Sequence, residues 1–333
     1  MPDQTEAQTQ LEQQIRSQPD ALEHFLTAGR SRLQIHAAAE SLHRVRRIWL
    51  VGTGTSQHAA ALGAAMLQDA GRAAHSVSSM QFVRNAPIVG PHDGVVVISH
   101  TGETAYALAA RALAFNAGLQ TVMISRDGLG MNDTIETVPK ETSETYTVSY
   151  TTALLAIAML AAEMGATEVT TDRLSQVPQA VRDAIASSGT DDVPVPERSL
   201  QIVGAGHASV TAREGALKIR EAARVLAEGY DAEFFLHGTA VPLGPQDHLV
   251  ALTSPDEDGL VAGVAAAAQA EGIGVTRLAE TAVLPGSLAQ IPLTVRLQLL
   301  ALRFALARRQ DPDKVIVGHW DDPALWSIGA PKG

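Results

Sequence analysis

Short, uninterrupted apolar runs alternate with longer helical patterns through most of the chain. Ile48-Trp49-Leu50-Val51 ends in Gly52-Thr53-Gly54, and an Ala-rich helical pattern follows from Ser56 to Gly71. Gly94-Val95-Val96-Val97-Ile98-Ser99 precedes a second helix, from Gly102 to about Ala117, and Thr121-Val122-Met123-Ile124-Ser125 is a third apolar run. Runs this short, apolar at consecutive rather than alternate positions, predict strands buried on both faces, as in a parallel sheet covered by helices. Further helices are predicted near Thr152–Met164 and Arg173–Ser187.

The text then turns polar and Pro-rich across Thr190–Arg198, a linker pattern, and the alternation restarts. Leu200-Gln201-Ile202-Val203-Gly204-Ala205-Gly206 echoes Trp49 to Gly54, and a long helix again follows. His248–Thr253 echoes the second strand, a helix covers Gly259–Ala270, and Gly274–Leu278 echoes the third strand. The chain reads as an α/β protein with two tandem doubly wound parallel sheets, produced by internal duplication and preceded by an N-terminal helix. The expected divisions are a helical segment over 1–30, a first domain over 31–168, a helix and linker over 169–198, and a second domain over 199–333. Neither glycine turn carries the third glycine of a dinucleotide fingerprint, which favours a tight strand–helix turn over an NAD or FAD site.

A length of 333 residues suits two domains. A net charge of −11 argues against nucleic acid or an anionic membrane as the partner, without excluding a small anion held by local donors. The absence of cysteine removes disulfides, thiolate nucleophiles and Cys-based zinc sites, and fits a cytoplasmic protein. Met1 to Gln10 is polar, with no apolar signal-peptide core, and no apolar run approaches the roughly 18 residues of a membrane span.

Three clusters could carry chemistry. Thr53, Thr55 and Ser56 follow the first strand, and Ser99-His100-Thr101-Gly102-Glu103-Thr104 follows the second. Both lie where a strand ends and a helix begins, a place suited to a phosphate, although Ser and Thr are also ordinary helix caps. In the second half, Glu214, Lys218 and Glu221 fall at i, i+4 and i+7, on one helix face. Two carboxylates and an amine could move protons on a polar substrate, or could be a solvated salt-bridge ladder. Downstream stand Glu228, Tyr230 and His237-Gly238; His207 is another of eleven histidines.

The order Gly54-Thr55-Ser56, Ser99 to Thr104, Glu214-Gly215-Ala216-Leu217-Lys218-Ile219-Arg220-Glu221, Glu228 and His237-Gly238 resembles the sugar isomerase (SIS) family. Within that family it resembles the isomerase half of glutamine–fructose-6-phosphate aminotransferase. The resemblance covers about residues 10–310, from Leu11–Pro19 through the Thr151-Thr152 pair to Leu297–Asp313. It implies that Thr55, Ser56, Ser99, His100, Thr101 and Thr104 hold the phosphate of a sugar 6-phosphate. It implies Glu221 as the proton shuttle between C1 and C2, with Lys218 polarising the substrate oxygens. His237, supplied across a homodimer interface, would assist ring opening; Glu214, Glu228 and Glu141 would support. No metal and no cofactor is implied. These residue types suit aldose–ketose chemistry, which needs a shielded carboxylate, an acid–base group near neutral pH and a remote phosphate handle.

Departures redirect the expected activity. The aminotransferase begins with a glutaminase domain whose nucleophile is an N-terminal cysteine, and this sequence has neither, so glutamine is not expected as its nitrogen donor. The lysine that forms a Schiff base in the family's tail matches Trp320, beside His319, with Lys314 and Lys332 off register. His100 replaces a family Gln, and the loop from Ser143 to Val148 differs. The expectation is an amino-sugar 6-phosphate deaminase/isomerase, converting glucosamine 6-phosphate to fructose 6-phosphate and ammonia. A plain phosphosugar isomerase, a phosphosugar-adduct deglycase and a non-catalytic phosphosugar sensor are the alternatives.

Overall fold

The computed structural model describes residues 8–85, 89–255, 258–280 and 284–331. The residues up to Ala7, and Lys332, one of the two off-register tail lysines, lie outside them. Two helices come first, α1 (Gln10–Thr27) and α2 (Gly29–His43). Pro19 sits inside α1, where it cannot donate to the carbonyl of Ile15. The Gln18 side-chain amide donates to that carbonyl instead, at 3.1 Å, so the helix continues.

The first sheet is built from β1 (Arg47–Gly52), β2 (Ala74–Ser78), β3 (Asp93–Ile98), β4 (Gln120–Ser125) and β5 (Thr134–Glu136). Their order is β2-β1-β3-β4-β5, all parallel. Between them run α3 (Thr55–Asp69), α4 (Ser79–Arg84) and α5 (Ala105–Asn116). Every residue of β3 is buried: Gly94–Ile98 as an apolar run requires, and Asp93 paired with Arg47 at 2.7 Å. Two helices follow, α6 (Val148–Glu163) and α7 (Thr171–Ala186). Helix α6 starts a full turn before the predicted Thr152. The buried Glu141 carboxylate accepts from the backbone N–H groups of Thr147 and Ser149 and so caps it early.

The second sheet repeats the first without its edge strand. It comprises β6 (Leu200–Gly204), β7 (Ala227–Asp231), β8 (His248–Thr253) and β9 (Gly274–Ala279), ordered β7-β6-β8-β9 and parallel. Helix α8 (His207–Ala223) follows β6 as α3 follows β1, and a short turn, α9 (Ala232–Phe234), follows β7. Helix α10 (Leu260–Ala270) links β8 to β9. Gly52 pairs with Ser78 at the end of β1, and Gly204 pairs with Asp231 at the end of β6. The predicted duplication is therefore present in topology and register. A Cβ on Gly52 would lie 2.2 Å from the Ser56 carbonyl oxygen, so glycine is what lets α3 begin so close to the strand.

The 22-residue helix α11 (Gly286–Ala307) is buried nearly all round. It packs on α1, α7 and α8 and joins the two units. Its Arg303 donates to the carbonyls of Thr190 and Val193, which holds down the Pro-rich connection. After α11 the tail ends in a short helix, α12 (Pro323–Ile328). Among the described residues no helix is long and apolar enough to cross a membrane.

Candidate active site

A cavity of about 620 Å³ opens at the carboxyl ends of β1, β3 and β4. The turn after β1 contributes Thr53, Gly54, Thr55 and Ser56, and the turn after β3 contributes His100, Thr101, Glu103 and Thr104. Helices α3 and α5 begin there, so their amino-terminal ends open on the cavity, as suits an anion. The hydroxyl of Ser125, at the end of β4, donates to the carbonyls of Ser99 (2.7 Å) and His100 (3.2 Å) and fixes the second turn. Thr53 donates to the Ser79 hydroxyl at 2.9 Å. The Ser99 side chain does not line the cavity; it is buried, with its hydroxyl 3.5 Å from that of Thr104.

His100 is held in one form. The Glu141 backbone N–H donates to its Nε2 at 3.1 Å, which leaves the proton on Nδ1. Burial, with help from the nearby Arg126 and Lys140 charges, pushes its pKa down to about 4. The ring is thus a neutral donor on the cavity wall near neutral pH. Glu141 is buried; besides the two N–H groups it accepts from the Thr147 hydroxyl at 3.2 Å, and burial raises its pKa. It is a scaffold beneath the site rather than part of its lining.

The second unit reaches this cavity through Glu221. The Glu214–Lys218–Glu221 face is not solvated. Glu214 and Lys218 are fully buried, and Glu221 is one-fifth exposed. Helix α8 lies against α3, and Glu214 accepts from the Thr55 hydroxyl (3.1 Å) and from His58 Nδ1 (2.7 Å), bonding the two units together. Lys218 Nζ stands 3.7 Å from Glu214 and pairs directly with Glu221. Burial opposes the charge on Lys218, but the Glu221 and Glu214 carboxylates outweigh it and hold its pKa above the usual lysine value. Burial raises the Glu221 pKa above the usual carboxylate range, against the pull of Lys218. A shielded carboxylate moved toward neutrality is a competent proton acceptor and donor.

Three candidate residues lie elsewhere. His237 is 70% exposed and pairs with Glu233 at 2.7 Å, outside the cavity of its own chain. Glu228 accepts from the Tyr230 hydroxyl at 2.8 Å and does not line the cavity. His207 lies 3.2 Å from Asp69, also away from it.

The cavity wall includes residues that sequence reasoning passed over: Glu144, Tyr146, Ser149 and Tyr150, and Val315, Ile316 and Trp326 of the tail. The tail is stitched down. Asp313 accepts from the first N–H groups of α1, Gln10 and Leu11, at 2.9 and 2.7 Å. The Thr145 hydroxyl donates to the Pro312 carbonyl at 2.7 Å, and the Glu144 carboxylate accepts from Val315 N–H (2.7 Å) and Ile316 N–H (3.3 Å). Trp320, the expected match to the family's lysine, is 74% exposed, and Trp326 faces the cavity instead. A hint was available: the polar 141–147 loop and the aromatic tail both depart from the pattern around them.

Residues 41–163 match the SIS domain family. The glutamine–fructose-6-phosphate aminotransferase of Thermococcus kodakarensis is 28% identical over 90% of this chain and 56% of its own length. The chain spans about half the length of the curated relatives it matches. In structure it is similar to the C-terminal domain of glucosamine-fructose-6-phosphate aminotransferase from Francisella tularensis (TM-score 0.79, 19% identity, 93% of this chain and 99% of that one). It is also similar to glucosamine-6-phosphate deaminase from Thermotoga maritima (TM-score 0.77, 17% identity, 92% and 97%). Identities this low speak to the fold alone. Residues 41–163 therefore carry the SIS domain match, and the chain as a whole is similar in sequence and fold to the isomerase part of the aminotransferases.

Proposed function

We propose that this protein is a phosphosugar isomerase acting at C1–C2 of a sugar 6-phosphate, and specifically an amino-sugar 6-phosphate deaminase. The reaction is glucosamine 6-phosphate plus water giving fructose 6-phosphate plus ammonia. The observation that carries the reading is the arrival of Glu221, a buried carboxylate paired with Lys218, in the same cavity as the two hydroxyl-rich turns.

In this reading Ser56, Thr101, Thr104 and the Nδ1–H of His100 hold the phosphate with neutral side-chain donors, and Thr55, whose hydroxyl is committed to Glu214, contributes its backbone N–H at the start of α3. Ser99 supports them from behind. The phosphate then anchors the opened sugar so that C1 and C2 lie beside Glu221. Glu221 removes the C2 proton as O1 takes a proton from solvent, giving an enol at C1–C2. Glu221 returns its proton to C1, leaving an iminium at C2. Water adds to the iminium carbon, ammonia leaves, and the proton taken up at O1 is balanced by the one released to solvent as the ketone forms. Lys218 keeps Glu221 ionised despite burial, and Glu214 holds Lys218 in turn. His237 is proposed to act from the neighbouring subunit of a homodimer in ring opening, because it stands exposed outside its own chain's cavity.

The test is incubation with hexose and hexosamine 6-phosphates in deuterated water, followed by NMR. Ammonia and a ketose from glucosamine 6-phosphate support deamination. A ketose formed only from an aldose substrate selects plain isomerisation. Glu221→Gln should abolish deuterium uptake while phosphosugar binding persists; uptake at the normal rate would remove Glu221 from the shuttle role.

A further inference from the structure

Buried polar groups are almost always hydrogen-bonded, and one that is not calls for an explanation. Among the described residues that line the cavity, two buried polar atoms have no partner: His100 Nδ1 and Tyr150 Oη. The first belongs to the phosphate turns. The second belongs to α6.

Tyr150 lies in the first turn of α6 and is only 2% exposed. Its ring packs into the main hydrophobic core, which a phenylalanine would also fill. The hydroxyl is therefore an expense to the fold with no return inside the protein. Burial, and the charge of Glu214, push its ionisation well above that of a free phenol, so it is a proton-bearing donor and not a base. Tyr150 and Glu221 line the same cavity, so a substrate seated beside that carboxylate is also within the space the tyrosine helps to enclose.

We propose that Tyr150 is a substrate-binding residue, its hydroxyl donating to an oxygen of the sugar chain beside the carbons that Glu221 serves. The proposal rests on the reading of the cavity as a phosphosugar site. A fixed neutral donor there would orient the carbonyl or hydroxyl oxygen next to the reacting carbons, where charge builds up as the proton leaves.

The decisive variant is Tyr150→Phe, measured by thermal unfolding and by calorimetric binding of glucosamine 6-phosphate and of inorganic phosphate. Glu221→Gln is the background in the binding experiments, so that the sugar is not turned over. The melting temperature should stay unchanged or rise, because an unpaired hydroxyl is removed. The Kd for the sugar phosphate should rise about tenfold, the scale of one lost buried hydrogen bond, while that for inorganic phosphate stays constant. A clear fall in melting temperature would show that the hydroxyl serves the fold and would overturn the proposal. Equal weakening of both ligands, or no change in either, would overturn it too. If the parent protein binds inorganic phosphate but no hexose or hexosamine 6-phosphate, the phosphosugar reading itself fails, and this inference with it.

Discussion

Lys218 is the residue whose setting changes most between chain and fold. At i, i+4 and i+7 its cluster has the spacing of a surface ladder worth a few tenths of a kcal/mol. In the fold it is fully buried between two carboxylates. Removing it would leave Glu214 and Glu221 facing each other without a cation, a loss of the kind that costs about 3–5 kcal/mol. His100 shows burial acting in the opposite direction. Its folded pKa of about 4 lies below the ordinary 6.5, so the folded protein binds fewer protons than the unfolded chain. The stability this represents is complete above pH 6.5 and is lost as pH falls toward 4. Over that window His100 should contribute roughly 2–3 kcal/mol of pH-dependent stability. Urea unfolding of His100→Gln between pH 7 and pH 4 should therefore show a flatter decline than the parent protein. Equal slopes would mean that the ring is protonated in the folded state.

At the scale of elements, the tail and the 141–147 loop are bonded together and form one part of the cavity wall. Glu144 is its exposed latch, accepting from two consecutive tail N–H groups. Glu144→Ala should speed hydrogen exchange at Val315 and Ile316 by about tenfold, as one charged hydrogen-bond acceptor is lost, and should raise KM for the phosphosugar. Exchange that is unchanged would mean that Asp313 and Thr145 hold the tail without it. This region also marks the limit of what the chain pattern reveals. β3 and β6 are legible because burial on both faces makes them mostly apolar, with Asp93 and Gln201 the polar exceptions. β2 and β7 are edge strands with mixed burial, and Ala74–Ser78 and Ala227–Asp231 have no strand pattern to read. The hydroxyl-rich turns are legible because strand–turn–helix junctions are local. Glu144, Tyr150 and Trp326 are not, because what places them is contact between segments far apart in sequence. His237 was legible as a motif, but its distance from the cavity of its own chain could not be read from spacing.

That distance is a property of the whole molecule. The two units are joined by α11 and by the bonds from Thr55 and His58 to Glu214, so the phosphate turns and the α8 face meet within one chain. His237 does not join them, and the surface around it is apolar: Phe234, Leu236 and Val241 are all more than half exposed. A polar rim would be the ordinary state of a free surface, and an apolar patch bearing a titratable group suits a subunit contact. In the proposed homodimer each cavity takes Glu221 from one chain and His237 from the other. Glu221→Gln and His237→Asn should then each be inactive when pure. A heterodimer of the two variants contains one cavity with both residues intact and one with neither. Mixing equal amounts, with unfolding and refolding to exchange subunits, should restore about one quarter of the parent activity, since half of the dimers are mixed and half of their sites are whole. An inactive mixture, with dimer exchange verified by mass, would assign both residues to the same chain's site and require the 232–243 segment to move toward it.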